Sequence, residues 1–506
     1  MRKVAVRRAL LSVSDKRALP PFARRLAEAG VELMASSGTD KVLRDVGVPV
    51  TSISELTGVG ELLDGRVKTL HPALAAGILA DRDRPEHLSE LAATGIEAID
   101  LVVVDLYPFT ESAVRFENDD LTELVDVGGV TLLRAAAKNH RWVGAVSATT
   151  QYEQVAGAVA AGGLSDELRA TLAREAFFRT ASFDAAVLAW MSSADTFPDS
   201  IVLPLTLTST VRYGENPHQE AAAYSTRGAA EPWWSSARQV QGEPLSFNNY
   251  LDTEAGWRLV HSFEEPAAAV IKHTNPCGVA TRSDPPAAFL AAWDCDPMAA
   301  YGGVVTLNRP LDEATARELT ERFVAVAAAP SVTEGAKRLL GPRRGLRVLE
   351  AQLPPTPRRE FRALGSGFLV QEPDHSDSAD WKVVTRRPPT ADETLDLEFA
   401  WAVAAHTTSN AVVIAHDLAA IGVGAGDQSR IGAAERALRQ AGERTQGAAA
   451  ASDGFIPFRD TVDLLAESGV TALVQPGGSI RDEEVIEAAD EHSMAVIFTG
   501  RRHFRH

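Results

Sequence analysis

Residues 8–38 read RALLSVSDKRALPPFARRLAEAGVELMASSG. The opening run, RALLSVS, is apolar and short enough for a strand. LPPFARRLAEAG has a helical pattern that stops at a glycine, and VELMASSG returns to a strand. TDKVLRDVG and VPVTSI continue the alternation. This βαβ rhythm, with helices ending at Gly, predicts an α/β domain with a mostly parallel sheet covered by helices. Further on, IDLVVVDLYPF (residues 99–109) is continuous enough in apolar residues to lie at the centre of that sheet. SDELRATLAREAFFRTASFDAAVLAWMSS reads as a long helix or helix pair closing the domain. ADTFPDSIVLPLTLTST then loses helical period, which sets a boundary near residue 200 and two parts, residues 1–200 and 201–506.

At 506 residues the chain is too long for one ordinary core, and two to four domains are expected. A hydrophobic fraction of 45% and a charged fraction of 23% are those of a globular protein. The formal net charge of −18 argues against a general binder of nucleic acid or membrane surface, while leaving room for local basic pockets. The only cysteines, Cys277 and Cys295, exclude a disulfide framework and a four-cysteine metal site. No apolar stretch approaches the length of a membrane span, and Arg7 and Arg8 break the apolar run of the basic start, so a cytoplasmic location is expected.

The second part again mixes strands and helices. AYGGVVTLNRPLDEATARELTERFVAVAAAP and ALVQPGGSIRDEEVIEAADEHSMAVIFTG each carry a paired glycine, an acidic helix start and an apolar strand. They predict two related α/β subdomains, with the Pro- and Arg-rich PPTPRREFRALGSG as a connector.

Candidate chemistry gathers at strand ends. Ser36-Ser37-Gly38-Thr39 lies where a strand meets a helix start, a place that favours phosphate or carboxylate, although a plain N-cap reads the same way. In VDVGGVTLLRAAAKNH, Asp126 precedes Gly128 and Gly129, and Arg134 and Lys138 share a helix face. DGRVKTLHP places Arg66, Lys68, Thr69 and His71 in a loop without acidic neighbours of its own, as a substrate-binding loop would. Tyr107 follows the apolar run of residues 99–109, at a carboxyl edge. In the second part, VIKHTNPCGVA (residues 270–280) sends a strand directly into Lys272 and His273 and then a turn. VRYGENPHQ, SFNNYLD, SNAVVIA, GAGDQSR and ASDGFIPFRD add Asn, His, Arg and Gly at similar places, and RRHFRH by default reads as a frayed tail.

Zinc-dependent nucleobase deamination needs H-x-E with P-C-x-x-C. The chain has His218-Gln219-Glu220 and Pro276-Cys277, but Ala280 stands at the second cysteine position. Zinc hydrolysis is excluded on that ground, and no metal site is expected.

Taken together, LLSVSDK, ASSGTDK, RVKTLHP, LYPF, GGVTLLRAAAKNH, RYGENPHQ, SFNNYLD, KHTNPCG, SNA, QSRIG, FIPFRD, QPGGSIRDEE and RHFRH occur in one order over essentially the whole chain. The chain thereby resembles the bifunctional purine-biosynthesis family that joins AICAR (aminoimidazole carboxamide ribonucleotide) transformylase to IMP cyclohydrolase. The resemblance implies a methylglyoxal-synthase-like first domain that closes the purine ring, and two cytidine-deaminase-like subdomains that transfer a formyl group. It also implies 10-formyltetrahydrofolate as cosubstrate, no metal, and a homodimer whose formyl-transfer site draws on both chains.

By the same resemblance His273 accepts the proton from the weakly nucleophilic amine, Lys272 serves the leaving folate nitrogen, and Asn410 holds the oxyanion. Arg212, Tyr213, Arg430 and Arg502 hold nucleotide or frame the site, and Phe455, Pro457 and Phe458 form a folate-side wall. For ring closure, Lys68, Tyr107, Asp126 and Lys138 carry or support the proton transfers. Ser12, Ser14, Lys16, Ser36, Ser37, Gly38, Thr39, Arg66, Thr69, Gly128 and Gly129 bind substrate. Asp105, Tyr301, Asp427 and Ile456 depart from the family pattern, so two alternatives stand beside the bifunctional reading. One is a noncatalytic nucleotide binder; the other is a formyltransferase that has lost cyclisation through Asp105.

Overall fold

The computed structural model describes residues 3–107, 109, 121–226, 232–352, 357–375 and 381–506. It divides into two compact units, Met1–Thr206 with Thr226–Ala229, and Leu207–Ser225 with Ala230–His506.

The first unit is built on β1 (Arg8–Val13), α1 (Leu19–Glu28), β2 (Glu32–Ala35), α2 (Ser37–Asp45), β3 (Thr51–Ser52), α3 (Pro72–Leu79), β4 (Leu101–Asp105), α4 (Gly128–Lys138), β5 (Gly144–Val146), α5 (Tyr152–Ala160) and α6 (Asp166–Met191). Its five strands run parallel in the order β3-β2-β1-β4-β5. The expected parallel sheet is present. The strand of residues 99–109 is not its centre, however: β1 occupies the middle, and β4 lies between β1 and β5. Both faces of β4 are nevertheless covered, because Leu101–Val104 are all buried, and burial on two faces is what its unbroken apolar run encodes. α1 starts on Pro20 and Pro21 and buries Leu19, Phe22, Ala23 and Leu26, a 3–4 residue spacing. Phe22 stacks on Tyr152 of α5 at 4.2 Å. The closing segment is one helix, α6. Its Arg169, fully buried, donates to the carbonyls of His140 (2.9 Å) and Arg141 (3.0 Å), which pins the helix beside β5.

The second unit is an internal duplication. The first copy runs β6 (Arg238–Gln241), α7 (Phe247–Val260), β7 (Ala267–Lys272), β8 (Asn275–Thr281), α8 (Pro285–Trp293), β9 (Val304–Leu307), α9 (Glu313–Thr320), β10 (Val326–Ala329), α10 (Glu334–Leu340) and β11 (Arg347–Glu350). The second runs β12 (Lys382–Val383), α11 (Ala391–Ala405), β13 (Val412–His416), β14 (Ala419–Gly424), α12 (Arg430–Ala441), β15 (Ala449–Ser452), α13 (Arg459–Glu467), β16 (Ala472–Gln475), α14 (Asp482–Glu491) and β17 (Ala495–Phe498). All these strands form one sheet, ordered β6-β11-β10-β9-β7-β8-β14-β13-β15-β16-β17-β12. The order reads the same from either edge, and the copies meet where Ala280 pairs with Ala419.

The copies match in detail. β7–β8 and β13–β14 are antiparallel hairpins with an irregularity at the same step, Val270/Ile271 and Ile414/Ala415. In each, a glycine at the same place admits a helix backbone. A Cβ on Gly278 would lie 1.9 Å from the Ala292 carbonyl oxygen, and one on Gly422 would lie 2.1 Å from that of Ala437.

The two look-alike stretches in the sequence do belong to the two copies, but they are not equivalent pieces. The first spans β9-α9-β10, whereas the second spans β16-α14-β17, one step further along. Successive parallel βαβ steps share one pattern, so sequence likeness alone cannot say which step aligns with which. The described part of the Pro- and Arg-rich connector lies in a hairpin, Glu360–Leu364 with Gly367–Gln371, between the copies.

Candidate functional sites

In the first unit, the ends of β1, β2 and β4 and the starts of α2 and α4 lie at one edge, the carboxyl edge of the parallel strands. Ser36 stands at the N-cap of α2, yet its hydroxyl does not cap the helix. It bonds Ser12 Oγ at 3.1 Å and reaches Thr39 Oγ1 at 3.4 Å, while Thr39 Oγ1 accepts from the Val13 N–H at 3.1 Å. The Thr39 and Asp40 N–H groups donate to the Ser36 carbonyl at 2.8 and 2.7 Å, so the donors that the start of α2 offers an anion are those of Ser37 and Gly38. Lys16 donates to the Ser14 carbonyl at 3.2 Å, and its chain lies over Gly38, 3.8 Å from where a Cβ would stand. Ser37 bonds the Glu61 carboxylate.

At the start of α4, the Gly129 N–H donates to Asp126 Oδ1 at 2.8 Å. Thr69 Oγ1 lies 2.2 Å from where a Cβ on Gly128 would be, so a side chain there would have to displace the Thr69 hydroxyl. Burial pushes the Asp126 carboxyl above the ordinary carboxylate range; the Gly129 N–H and then the Lys68 charge pull against that shift without cancelling it. Tyr107 is exposed two residues beyond β4.

One expectation changes. The loop of Arg66 is expected to lack acidic neighbours, yet Asp64 stands two residues before Arg66 and the fold pairs Arg66 with Glu123. Lys138 sits at the last turn of α4, ten residues from Gly128. At 1.5 Å per residue its backbone is about 15 Å along the helix from Gly128. Asp105 has a structural task, accepting from the Asp15 N–H at 3.2 Å through Oδ2 and from the Ser14 N–H at 3.2 Å through its carbonyl. A side-chain oxygen there shapes the loop that carries Ser14 and Lys16.

In the second unit the site is assembled from both copies. Lys272 ends β7 and donates to the carbonyls of Tyr301 (3.0 Å) and Ala299 (3.3 Å). Tyr301 serves through its backbone, while its exposed ring lies tilted on Phe323. His273 and Thr274 form the tip of the first hairpin. Just beyond, Asn275 Nδ2 donates to the His273 carbonyl at 3.1 Å and its Oδ1 accepts from the Thr408 N–H at 2.8 Å. Asn275 therefore ties the Lys-His hairpin of one copy to the Ser409–Asn410 loop of the other, whose peptide bond is cis.

That loop is fixed from three sides. Asn410 Oδ1 accepts from Arg430 Nη2 at 2.8 Å, and Asn410 Nδ2 donates to the Asp427 carbonyl at 3.0 Å. This sets the amide's orientation and leaves its second Nδ2 hydrogen unengaged by those bonds. Arg430 pairs with Asp453, and the same carboxylate accepts from the Ser409 hydroxyl and from the Ala411 N–H (3.0 Å). The C-terminal segment closes the arrangement. The Ser409 N–H donates to the Arg505 carbonyl at 2.8 Å, and the Arg505 N–H to Ser409 Oγ at 3.1 Å. The His503 N–H donates to the Asp453 carbonyl at 2.9 Å, and His503 is buried, so this tail is not frayed.

Asn410, Arg430, Phe455, Pro457, Phe458 and Phe504 line a cavity of about 380 Å³ with Gln428, Ser429 and Asp460. Arg502 lies over the Phe504 ring at 4.5 Å. Arg212 lies over Tyr213 and pairs with Glu243 at 2.8 Å; the Tyr213 carbonyl accepts from the Phe247 N–H at the start of α7. Those contacts do not bring Arg212 to the cavity. Ile456 points into the core, leaving the wall to its neighbours. The Asp427 carboxylate accepts from the Ser429 N–H at 2.9 Å, at the start of α12.

Sequence reasoning missed Asn275, Ser409 and Asp453. Asp453 carries a faint signal, an acid directly after the fully buried strand AAAS, where a carboxylate is enclosed and must find partners. Among the described residues no cluster of three or more His, Cys, Asp or Glu could hold a metal ion, and no helix is long and apolar enough to cross a membrane.

Comparison with known proteins adds independent findings. The family model of the AICARFT/IMPCHase bienzyme matches residues 136–440, and that of the MGS-like domain matches residues 18–131. A bifunctional purine biosynthesis protein PurH of Cereibacter sphaeroides is 47% identical over 526 residues, covering 99% of each chain. Proteins of the same name from Rhodospirillum rubrum (46%, all of both chains) and Shouchella clausii (43%, 99% of this chain and all of the other) are similar in the same way.

Proposed function

The chain belongs to the AICARFT/IMPCHase bienzyme family, and from that premise we propose how its two units share the two reactions. The protein is a bifunctional enzyme of purine biosynthesis, an AICAR formyltransferase and IMP cyclohydrolase. The second unit, residues 201–506 in outline, transfers the formyl group, and the donor is 10-formyltetrahydrofolate. The first, residues 1–200, closes the ring.

In formyl transfer the amine nitrogen of AICAR attacks the formyl carbon, and its lone pair, delocalised into the imidazole, makes it a weak nucleophile. His273 takes the amine proton. The carbonyl oxygen becomes an oxyanion, which the second Nδ2 hydrogen of Asn410 meets. The bond to the folate nitrogen breaks as Lys272 protonates that nitrogen. A single oxyanion donor contributes about 10²–10³-fold and a general base about 10²–10⁴-fold, so orientation supplies the remainder. Phe455, Pro457 and Phe458 give the folate a wall, and Arg430 and Arg502 add positive charge.

Ring closure joins the carboxamide nitrogen to the formyl carbon within one molecule and expels water. Lys68 and Asp126 stand close enough to sense each other's charge, which suits a pair exchanging a proton with that nitrogen and oxygen. Tyr107 stands at the same strand edge. The donors at the start of α2, with Ser12, Ser14, Lys16, Thr39 and Thr69, bind the phosphoribosyl end. Lys138, at the last turn of α4, supports the proton transfers with Lys68 and Asp126.

The protein acts as a homodimer through the second unit. This reading is supported by the hairpin between the copies, where Leu364, Phe368 and Leu369 are each about 60% exposed. Sedimentation showing a fully active monomer would overturn it.

The observation that carries the functional reading is the junction of Lys272–His273 with Ser409–Asn410 through Asn275. Its test is an absorbance assay for IMP formed from AICAR and 10-formyltetrahydrofolate by the purified chain. Appearance of IMP supports the reading, and its absence in folded protein defeats it.

A further inference from the structure

The tip of the β7–β8 hairpin is an unusual place for two ordinary residues. His273 (φ +53°) and Thr274 (φ +63°) both lie in the left-handed region. Two-residue hairpin turns need this, and Asn-Gly or Gly-Gly supplies it at least cost. A β-branched threonine there is a backbone outlier and persists only where its surroundings hold it. What holds it is Asp252, on α7. Asp252 Oδ1 accepts from the Thr274 N–H at 2.7 Å, and the His273 N–H bonds the same carboxylate.

The second copy repeats the device. Asp417 (φ +51°) and Leu418 (φ +53°) form the equivalent tip. Asp396, on α11, accepts from their N–H groups at 3.0 and 2.7 Å. Asp252 is the sixth residue of α7 and Asp396 the sixth of α11. Both carboxyls are pushed up from their ordinary range by burial. One architecture thus holds two turns, of which one carries His273 and the other does not.

We propose that Asp252 is a positioning residue for formyl transfer, holding the left-handed His273–Thr274 turn so that the imidazole stands in line with the amine. The inference rests on the assignment of His273 as proton acceptor. Asp252 does not touch the substrates; its carboxylate faces the backbone, and its effect on rate passes through the place of His273.

The duplication supplies its own control. Asp252→Ala and Asp396→Ala remove the same pair of backbone bonds from equivalent turns, so their effects on stability should be similar. Only Asp252→Ala should lower kcat for formyl transfer, by about 10–100-fold, the scale of an ångström-sized misplacement. KM for both substrates should stay within about threefold, since binding surfaces are untouched. Asp252→Asn keeps an oxygen acceptor and should recover most of the loss; it also carries the test if the alanine variant does not fold. Equal kcat losses in Asp252→Ala and Asp396→Ala would overturn the proposal. So would a loss confined to KM, or an asparagine variant as slow as the alanine. His273→Ala separates the two levels of failure. If it retains full formyl transfer, the assignment of His273 falls and the proposal with it. If it is inactive while Asp252→Ala keeps wild-type kcat, only the role of Asp252 is refuted.

Discussion

Arg430 and Asp453 form an ion pair closed off from solvent, with side-chain exposures of 6% and 0%. A buried pair pays back its desolvation only through geometry and further hydrogen bonds. Here those bonds go to Asn410 Oδ1, Ser409 Oγ and the Ala411 N–H, so the pair's partners are the loop that presents the Asn410 amide.

Asp453→Ala leaves Arg430 buried without its counter-charge. Breaking such a pair costs about 3–5 kcal/mol, which a denaturant titration of the full chain should show. Formyl transfer should fall at least about tenfold in the protein that remains folded, while cyclisation of supplied formylated substrate continues. An unchanged formyl-transfer rate would mean that Asn410 keeps its place without the pair.

The two reactions should be separable. His273→Ala should lose formyl transfer by roughly 10²-fold or more and keep cyclisation, because it removes the acceptor for the amine proton. Lys68→Ala should do the reverse, so that the formylated intermediate accumulates. Both are measured after circular dichroism shows native structure. Equal depression of both steps by either substitution would defeat the two-site assignment.

Burial raises the Asp126 pKa, so the folded chain holds that proton more tightly than the unfolded chain does. The stability linked to it is present at low pH, below the unfolded value, and is lost as pH rises through the raised folded value. Asp126→Asn keeps an acceptor for the Gly129 N–H without a charge to bury. The melting temperature of the variant relative to wild type should therefore climb as pH rises above about 4, the ordinary value of an aspartate. Cyclisation should meanwhile drop about 10²-fold. A melting difference that does not change with pH would contradict the burial of this carboxylate.

Cys277 and Cys295 are both pushed up to about 12, chiefly by burial. Since the thiolate is the reactive form, neither should react with an alkylating reagent in the native chain near neutral pH. Both should react after denaturation, giving two labels by mass. Rapid native labelling would show that one of the two helix–hairpin contacts opens.

Much of the first unit was legible because its strands are apolar runs and its helices stop at glycines. α1 and β4 follow from those runs directly. The rank of β4 within the sheet was not, since burial on both faces marks an interior strand without saying which one. In the second unit, Lys272, His273, Asn410 and Arg430 were named from their motifs, and the structure links them through Asn275 and Asp453. Those two were missed because an Asn in T-N-P and an Asp in S-D-G look like ordinary turn residues. Their partners lie 133 and 44 residues away, and nothing local announces them. Lys138 too was named from its motif, and the structure places it at the last turn of α4.

Lys272 and His273 come from one copy of the duplicated half, and Asn410 and Arg430 from the other. A lone copy, however well folded, would hold only part of the constellation and would have to find a second molecule to complete it. Joining the copies in one chain turns that encounter into a standing neighbour at high effective concentration. It also freed the copies to diverge: the hairpin tip that reads His-Thr in one is Asp-Leu in the other, under the same carboxylate clasp. The half is, in effect, an asymmetric pair made permanent by a covalent tether, and it cannot be halved again without parting Lys272 and His273 from Asn410 and Arg430.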